Sequence, residues 1–195
     1  MEQSRPDVAR HRQRWRVWQR YMDPSRFVFL DETGASTNMV RRHGWGPRGE
    51  RLPDTAPHGH WRTTPLVAGL RSSGITAPFV LDGPMTGLAF RTYVAQVLVP
   101  ELSPGDGVVM DNLPAHKVAG VVEAIRAAGS SVLYRPPYIP DLNPIEMAFA
   151  KLKALLRKAA ARTRDTLWDA IGTLLDAFPQ AECQNYLAHC GSEPV

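Results

Sequence analysis

The sequence is poor in several features that mark particular classes of protein. Only two cysteines occur among its 195 residues, Cys183 and Cys190, and their spacing fits neither a metal-binding nor a redox motif. This scarcity excludes a disulfide-stabilised secreted domain and is typical of a reduced cytoplasm. No apolar run is long enough to span a bilayer, and no signal-peptide pattern opens the chain. There is also no internal repeat and no low-complexity segment. We therefore expect a cytoplasmic, globular protein with no membrane partner.

Acidic charge is also in deficit, and the excess of basic residues is unevenly distributed. The net charge is +4 and the sequence pI is about 9.3. Residues 4–22 carry six arginines and one aspartate, and residues 151–164 carry six lysines and arginines and no acid. Clusters of this kind are typical of contact with nucleic-acid phosphates, although a solvated helix face gives the same pattern.

A proline-rich stretch at residues 134–146 is the most informative part of the chain. Its four prolines fix φ repeatedly and remove backbone donors, which predicts a stiff, extended loop. Asn143 is a good N-cap residue and Pro144 suits the first helical position, so a helix should begin here. Glu146 then lies in the first helical turn, where the rigid loop would fix its carboxylate in space.

Two other carboxylates stand at the ends of predicted strands. Asp31 follows the apolar run at residues 27–30, and Asp111 follows residues 108–110. Each has a structural explanation, because aspartates cap turns after strands and Glu146 could close a capping box with Asn143. Three carboxylates meeting at one sheet edge would instead repel one another unless cations held them there.

Hard oxygen ligands of this kind suit Mg²⁺ or Mn²⁺, and two such ions can promote phosphodiester cleavage. Asp141 is an alternative third ligand. Asp106 is a poorer one, because it precedes its strand. The three acids Asp31, Asp111 and Glu146 are therefore the candidate ligands of two divalent ions.

Three motifs carry a resemblance to a known family: LDETG at residues 30–34, MDN at 110–112 and PPYIPDLNPIE at 136–146. Together they resemble the catalytic half of bacterial insertion-sequence transposases, in the bacterial branch of the mariner superfamily. Between Asp111 and Glu146 lie 34 residues, the spacing typical of that branch. The resemblance covers roughly residues 24–190 and implies that Asp31, Asp111 and Glu146 are the catalytic, metal-binding triad.

Other residues are expected to serve this site or the DNA. Glu32 should face away from Asp31, because neighbours on a strand point to opposite sides, and should support the site indirectly. Asn112 and His116 leave the strand of Asp111 close enough to reach the metal site or the substrate. Asn143 is predicted to lie beside them. The expected DNA contacts are Arg41, Arg42, Arg48, Lys117, Lys151, Lys153, Arg157 and Lys158.

The order of elements predicts a mixed sheet with helices on both faces. Antiparallel strands come first and β-α-β units follow, and the resemblance likewise implies a ribonuclease H-like fold with five strands. A short strand is expected around residues 37–42 after a turn at Gly34. We expect a basic linker helix at residues 1–23, the catalytic domain at 24–190 and a loose tail at 191–195.

The predicted function is that of a DNA transposase catalytic domain. It would cleave transposon ends with two Mg²⁺ or Mn²⁺ ions and transfer the freed strand into target DNA. The resemblance implies TA target sites and a homodimer in the synaptic complex. It also implies an N-terminal DNA-binding region, which is not visible here, so a second reading frame or a truncated element is expected. A metal-dependent nuclease without strand transfer and a non-catalytic DNA-binding remnant are the alternatives.

Overall fold

A five-stranded mixed sheet forms the centre of the molecule. The computed structural model describes residues 5–19, 21, 23–41, 43–53, 61–136 and 140–192. The strands follow the order β3-β2-β1-β4-β5, with β2 antiparallel to β1 and β3 and with β4 parallel to β1 and β5. This confirms the predicted sheet. Their bounds are β1 Phe27–Ser36, β2 Thr63–Arg71, β3 Gly74–Val80, β4 Gly107–Met110 and β5 Ser131–Tyr134.

The central strand β1 is longer than predicted. It continues beyond Asp31 because β2 pairs with it along its whole second half, as far as Ser36 opposite Thr63. Gly34 lies within the strand, opposite Pro65, rather than in a turn. The strand expected at residues 37–42 is wrong for its described part, since residues 37–41 form a turn and irregular chain. Arg42 lies outside the described residues.

Helices cover both faces of the sheet, as predicted. Alternation along β1 sends Phe27 and Phe29 to one core cluster and Val28 and Leu30 to the other. The first cluster is covered by α1 (Pro6–Gln19), α4 (Pro144–Ala159), α5 (Arg164–Leu175) and α6 (Gln180–His189), and the second by α2 (Gly87–Tyr93) and α3 (Val121–Ala127).

Two helices begin at threonine side chains that cap the first turn. The Thr86 hydroxyl accepts a hydrogen bond from the Ala89 N–H at 3.2 Å and begins α2. The Thr163 hydroxyl accepts one from the Thr166 N–H, also at 3.2 Å, and begins α5. These side chains satisfy backbone donors that the first helical turn leaves unpaired.

The first helix is packed onto the sheet domain and tied to the end of the chain. Trp15 stacks on Trp18 at 5.0 Å between ring centroids, and Trp18 contacts Phe27 at 5.5 Å. Gln19 Nε2 donates a hydrogen bond to Ser192 Oγ at 3.1 Å, and both side chains are buried. Ser192 is therefore held in place, contrary to the expected loose tail, while residues 193–195 lie outside the described part of the chain. Of the helices that the structure describes, none is both long and apolar enough to cross a bilayer.

Candidate active site

The register of the sheet sets Asp31 beside Asp111. In the parallel pair of β1 and β4, Val28 lies opposite Val108 and Phe29 opposite Val109. Continuing this register by two residues aligns the two aspartates, and neighbouring strands are about 4.8 Å apart. Alternation turns both toward the face that α4 covers, the face shared by Phe29 and Val109. Asp31 and Asp111 are thus brought together as the sequence predicted.

The start of α4 supplies the third acid. Asn143 precedes Pro144, and Glu146 lies three residues into the helix with its side chain exposed. The Asn143 side chain makes no capping bond. Its Nδ2 instead donates to Asp31 Oδ2 at 2.6 Å. The predicted cap is therefore correct in backbone position but wrong in its side-chain role, since the amide bonds to Asp31 and not to the first helical turn.

Asp31 is neutralised by an arginine. Arg135 follows β5 directly, and its Nη2 donates to Asp31 Oδ2 at 3.0 Å. Only 8% of the Arg135 side chain and 13% of the Asp31 side chain are exposed. Burial raises the pKa of Asp31 above its usual range and Asp111 adds to this, although Arg135, the Glu32 N–H and Asn143 act in the opposite direction.

His116 occupies the space between Asp111 and Glu32. Its Nδ1 lies 2.6 Å from Asp111 Oδ1, and its Nε2 lies 3.2 Å from Glu32 Oε1. The Nδ1 contact is close but poorly aligned for a hydrogen bond, so it acts mainly as an ion pair. The imidazole is 1% exposed and stacks on Phe90, with ring centroids 4.2 Å apart.

These contacts keep His116 charged. Burial alone would lower the pKa of the imidazole, but the two carboxylates outweigh it and raise the pKa to about 9. Burial would raise the pKa of Asp111, whereas His116 and the Leu113 N–H bring it below its usual range. The Glu32 side chain thus contacts His116, which in turn contacts Asp111, and its supporting role stays a prediction.

The acids fit divalent cations by donor type and by charge. Burial raises the pKa of Glu146, and the negative charge of the Asp31 carboxylate raises it further, as a nearby like charge does. Carboxylate oxygens are the ligands that Mg²⁺ and Mn²⁺ prefer. Within the described residues, no three acidic, histidine or cysteine side chains already surround one point. Arg135 and Asn143 orient Asp31, and His116 orients Asp111.

The alternative third ligands are engaged elsewhere. Asp141 forms a bidentate pair with Arg12, at 2.8 and 2.5 Å. Asp106 is 2% exposed and lies 2.7 Å from Arg71 Nη2. Both carboxylates are therefore paired with arginines, and Glu146 stays the predicted third ligand. Asn112 is exposed at the exit from β4, next to Asp111.

The predicted DNA-contact residues fall into four groups. Lys151 is engaged within the protein, because its Nζ lies 2.5 Å from Glu182 Oε2 and 2.6 Å from the Ala177 carbonyl oxygen. Lys117 is exposed and lies over the Tyr134 ring at 5.8 Å. Arg42 is outside the described residues. The remaining positions are exposed or half-buried at the surface: Arg41, Arg48, Lys153, Arg157 and Lys158.

Two arginines of this region were given no role by the sequence. Arg135 could have been found by the argument used for the acids, since it also comes directly after a strand at the same sheet edge. Arg12 offered no such signal, because its partner Asp141 is 129 residues away in the chain.

Comparisons with known proteins agree with this architecture. Residues 26–168 match the model of a family described as DDE superfamily endonuclease. A Mos1 transposase paired-end complex with the left transposon end superposes with a TM-score of 0.62 and 18% identity, over 94% of this chain and 61% of that chain. This chain thus spans about six tenths of that transposase. No curated protein matches the sequence.

Two isolated catalytic domains have the same fold. The Mos1 transposase catalytic domain with raltegravir and Mn gives a TM-score of 0.53 at 15% identity, covering 96% of each chain. The catalytic core domain of BIV integrase gives 0.50 at 17% identity, over 77% of this chain and 83% of that one. The five-stranded mixed sheet flanked by helices is therefore a ribonuclease H-like core of the transposase and integrase type. Because the family model covers most of the chain, from β1 into α5, the protein belongs to the DDE superfamily endonucleases.

Proposed function

We propose that this chain is the catalytic domain of a DNA transposase, with Asp31, Asp111 and Glu146 as its catalytic residues. The observation that carries the proposal is the gathering of acids from β1, β4 and α4 at one edge of the sheet. Asp31 and Asp111 are aligned by strand register, and Glu146 is close enough to Asp31 for their charges to interact. Carboxylates that repel one another in a partly buried site are suited to bind cations.

The three acids would together hold two divalent ions, either Mg²⁺ or Mn²⁺. When bound, such ions lower the pKa of an attacking water and stabilise charge on the leaving oxygen. The protein's own groups position this chemistry. Asn143 and Arg135 fix Asp31 from two sides, and the imidazolium of His116 fixes Asp111. The same site would cleave a transposon end and then direct the freed 3′-hydroxyl at a target phosphodiester.

The outer face of α4 supports double-stranded DNA as the substrate. In a helix, residues seven and eleven positions apart lie on nearly the same side, so Lys153 and Arg157 share the face of Glu146. Lys153 is close enough to Glu146 to lower its pKa, against the effect of burial. A phosphate backbone lying along this face would meet both cations next to the acids. Lys158, Lys117, Arg41 and Arg48 extend the proposed contact surface.

A paired cleavage and joining assay tests this function. The substrates are a duplex carrying the element's end and the same duplex already nicked at that end, each with Mg²⁺ or Mn²⁺. Asp31→Asn, Asp111→Asn and Glu146→Gln should each reduce cleavage and joining by at least about a hundredfold while DNA binding stays within about threefold. Asp169→Asn, which changes an exposed acid on α5, is the matched control.

The outcomes separate the alternatives. Cleavage without joining of the nicked duplex would indicate a metal-dependent nuclease. DNA binding with no cleavage by the parent protein would indicate a non-catalytic remnant. Sequencing the joined products tests the proposed preference for TA sites, and the mass of the complex with two DNA ends tests the proposed homodimer.

A further inference from the structure

The ion pair between Arg12 and Asp141 joins the first helix to the loop that precedes α4. Arg12 Nη1 lies 2.8 Å from Asp141 Oδ1, and Arg12 Nη2 lies 2.5 Å from Asp141 Oδ2. Two parallel bonds between a guanidinium and a carboxylate fix orientation as well as distance. Only 15% of the Arg12 side chain is exposed, so the pair is partly shielded from water.

Arg12 is itself held firmly by the packing of α1. The same helix buries Val8 and Trp15, and its last residue, Gln19, bonds to Ser192 in the interior. The guanidinium therefore projects from a fixed helix. The helix contributes no member of the acidic triad, so its contact with Asp141 is an indirect link to the site.

Asp141 is restrained from a second side. The Cys190 thiol, at the end of α6, donates a weak hydrogen bond to the Asp141 carbonyl oxygen at 3.5 Å. Burial raises the pKa of Cys190 to about 11, so the thiol keeps its proton and can donate. Asp141 thus lies between α1 and α6, and it belongs to the short 3₁₀ turn at Pro140–Leu142.

This turn leads directly into the acidic site. Leu142 is buried in the core, and Asn143 donates to Asp31. Glu146 follows in the first turn of α4, where its N–H donates to the Asn143 carbonyl oxygen at 3.2 Å. Asn143 and Glu146 are two and five positions after Asp141, so a displacement of Asp141 would move both of them.

We propose that Arg12 is a positioning residue for the acidic site: its ion pair with Asp141 fixes the turn from which Asn143 reaches Asp31 and α4 presents Glu146. The consequence for catalysis rests on the proposed transposase function. The consequence for the loop does not. The first helix is, on this inference, part of the active-site framework in addition to any contact with DNA.

A charge exchange tests the pair. Arg12→Asp and Asp141→Arg each place two like charges at the contact, whereas the double variant restores opposite charges with the same combined side-chain length. Arg14→Asp is the matched control, because Arg14 is an exposed arginine of the same helix and the change in charge is identical. Thermal unfolding of every variant shows whether it is folded.

Hydrogen exchange at residues 141–146 is the readout that needs no activity. In each single variant, we expect the amides of residues 141–146 to exchange at least about tenfold faster than in the parent. In the double variant, their exchange rates should return to within about threefold of the parent. In Arg14→Asp, the rates should be unchanged. Equal exchange in the parent and in Arg12→Asp, or no recovery in the double variant, would overturn the proposal.

Cleavage kinetics provide the functional readout. Misplacing a catalytic group by about 1 Å can lower the reaction rate about a hundredfold. We therefore expect kcat to fall about ten- to a hundredfold in the single variants while KM for DNA stays within about threefold. The double variant should recover most of the lost kcat. If the parent protein cleaves no DNA, the proposed function fails while the exchange data still decide the role of Arg12. If exchange changes and kcat does not, the positioning role is wrong.

Discussion

Replacing Arg135 with leucine should make the stability of the protein depend on divalent cations. In the structure, Arg135 is the cation nearest to Asp31 for which a bond is seen, and both side chains are largely buried. Arg135→Leu leaves the Asp31 carboxylate in a site of low polarity without that charge. Asp31 keeps two other donors, the Asn143 amide and the Glu32 N–H.

The size of the effect follows from these contacts. Removing one partner of a buried ion pair costs about 3–5 kcal/mol of unfolding free energy. The two remaining donors and the partial exposure of Asp31 reduce this to about 2–3 kcal/mol, which for a chain of this size lowers Tm by about 4–12 °C. A bound ion would return about 2.7 kcal/mol at a concentration one hundred times its Kd. Mg²⁺ should therefore raise the Tm of Arg135→Leu by more than it raises that of the parent.

The same variant should show a characteristic dependence on pH. The folded-state pKa of Asp31 is already raised, and loss of Arg135 would raise it further. A raised carboxyl pKa destabilises the fold above the unfolded pKa, and this cost disappears as pH falls and the group becomes protonated. The difference in Tm between the parent and Arg135→Leu should accordingly shrink in acid.

Thermal unfolding with and without Mg²⁺ is the assay. Arg126→Leu, which removes an exposed arginine from α3, should change the unfolding free energy by no more than about 0.5 kcal/mol. Adding Asp31→Asn to Arg135→Leu should recover part of the loss, because no buried charge is then left unpaired. An Arg135→Leu protein as stable as the parent, with the same response to Mg²⁺, would refute this account of the site.

Three further predictions concern the groups around the acids and the sheet. The folded-state pKa of His116 is about 9, so its ion pairs should stabilise the protein fully below pH about 6.5 and should be lost as pH rises through about 9. The Tm of the parent should therefore fall across that pH window, and the Tm of His116→Gln should fall much less. Asn143→Ala should lower the free energy of unfolding, measured in urea, by about 1–3 kcal/mol, because Asp31 loses the Asn143 amide. Asn143→Ser should not restore that stability, since serine caps helices well but is too short to reach Asp31. Full rescue by serine would show that capping is the main role of Asn143. Gly69→Ala should lower the free energy of unfolding by about 1–3 kcal/mol in the same assay, since the added Cβ would lie 2.8 Å from Val28 Cγ1. An unchanged urea midpoint would contradict the tight packing of β2 against β1.

Much of the fold follows from short-range patterns in the sequence. Helix caps such as Thr86 and Thr163 are local features, because capping depends on residues only two or three positions away. The helix at Pro144 and the placement of Glu146 in its first turn rest on equally local rules. Alternation predicted that Asp31 and Glu32 face opposite sides, and the structure places their partners, Asn143 and His116, accordingly.

Predictions that depended on pairing between distant segments were less successful. The length of β1 is set by its partner β2, whose first residue lies opposite Ser36. The sequence of β1 alone suggested that the strand ends at Asp31, before a turn at Gly34. The point where a strand ends depends on the whole sheet, because hydrogen bonds to a neighbouring strand can hold a glycine in an extended conformation.

The sequence by itself indicated which residue types matter: acids directly after two apolar runs and at the start of a helix, with basic residues along α4. Only the tertiary structure decided which side chains hold these acids in place. Arg135 and Asn143 bind Asp31, His116 bridges Asp111 and Glu32, and Arg12 holds Asp141 from the other end of the chain. These partners lie as many as 129 residues apart in the sequence. The sequence does not identify them, because a charge in a folded protein pairs with the groups that lie near it in space.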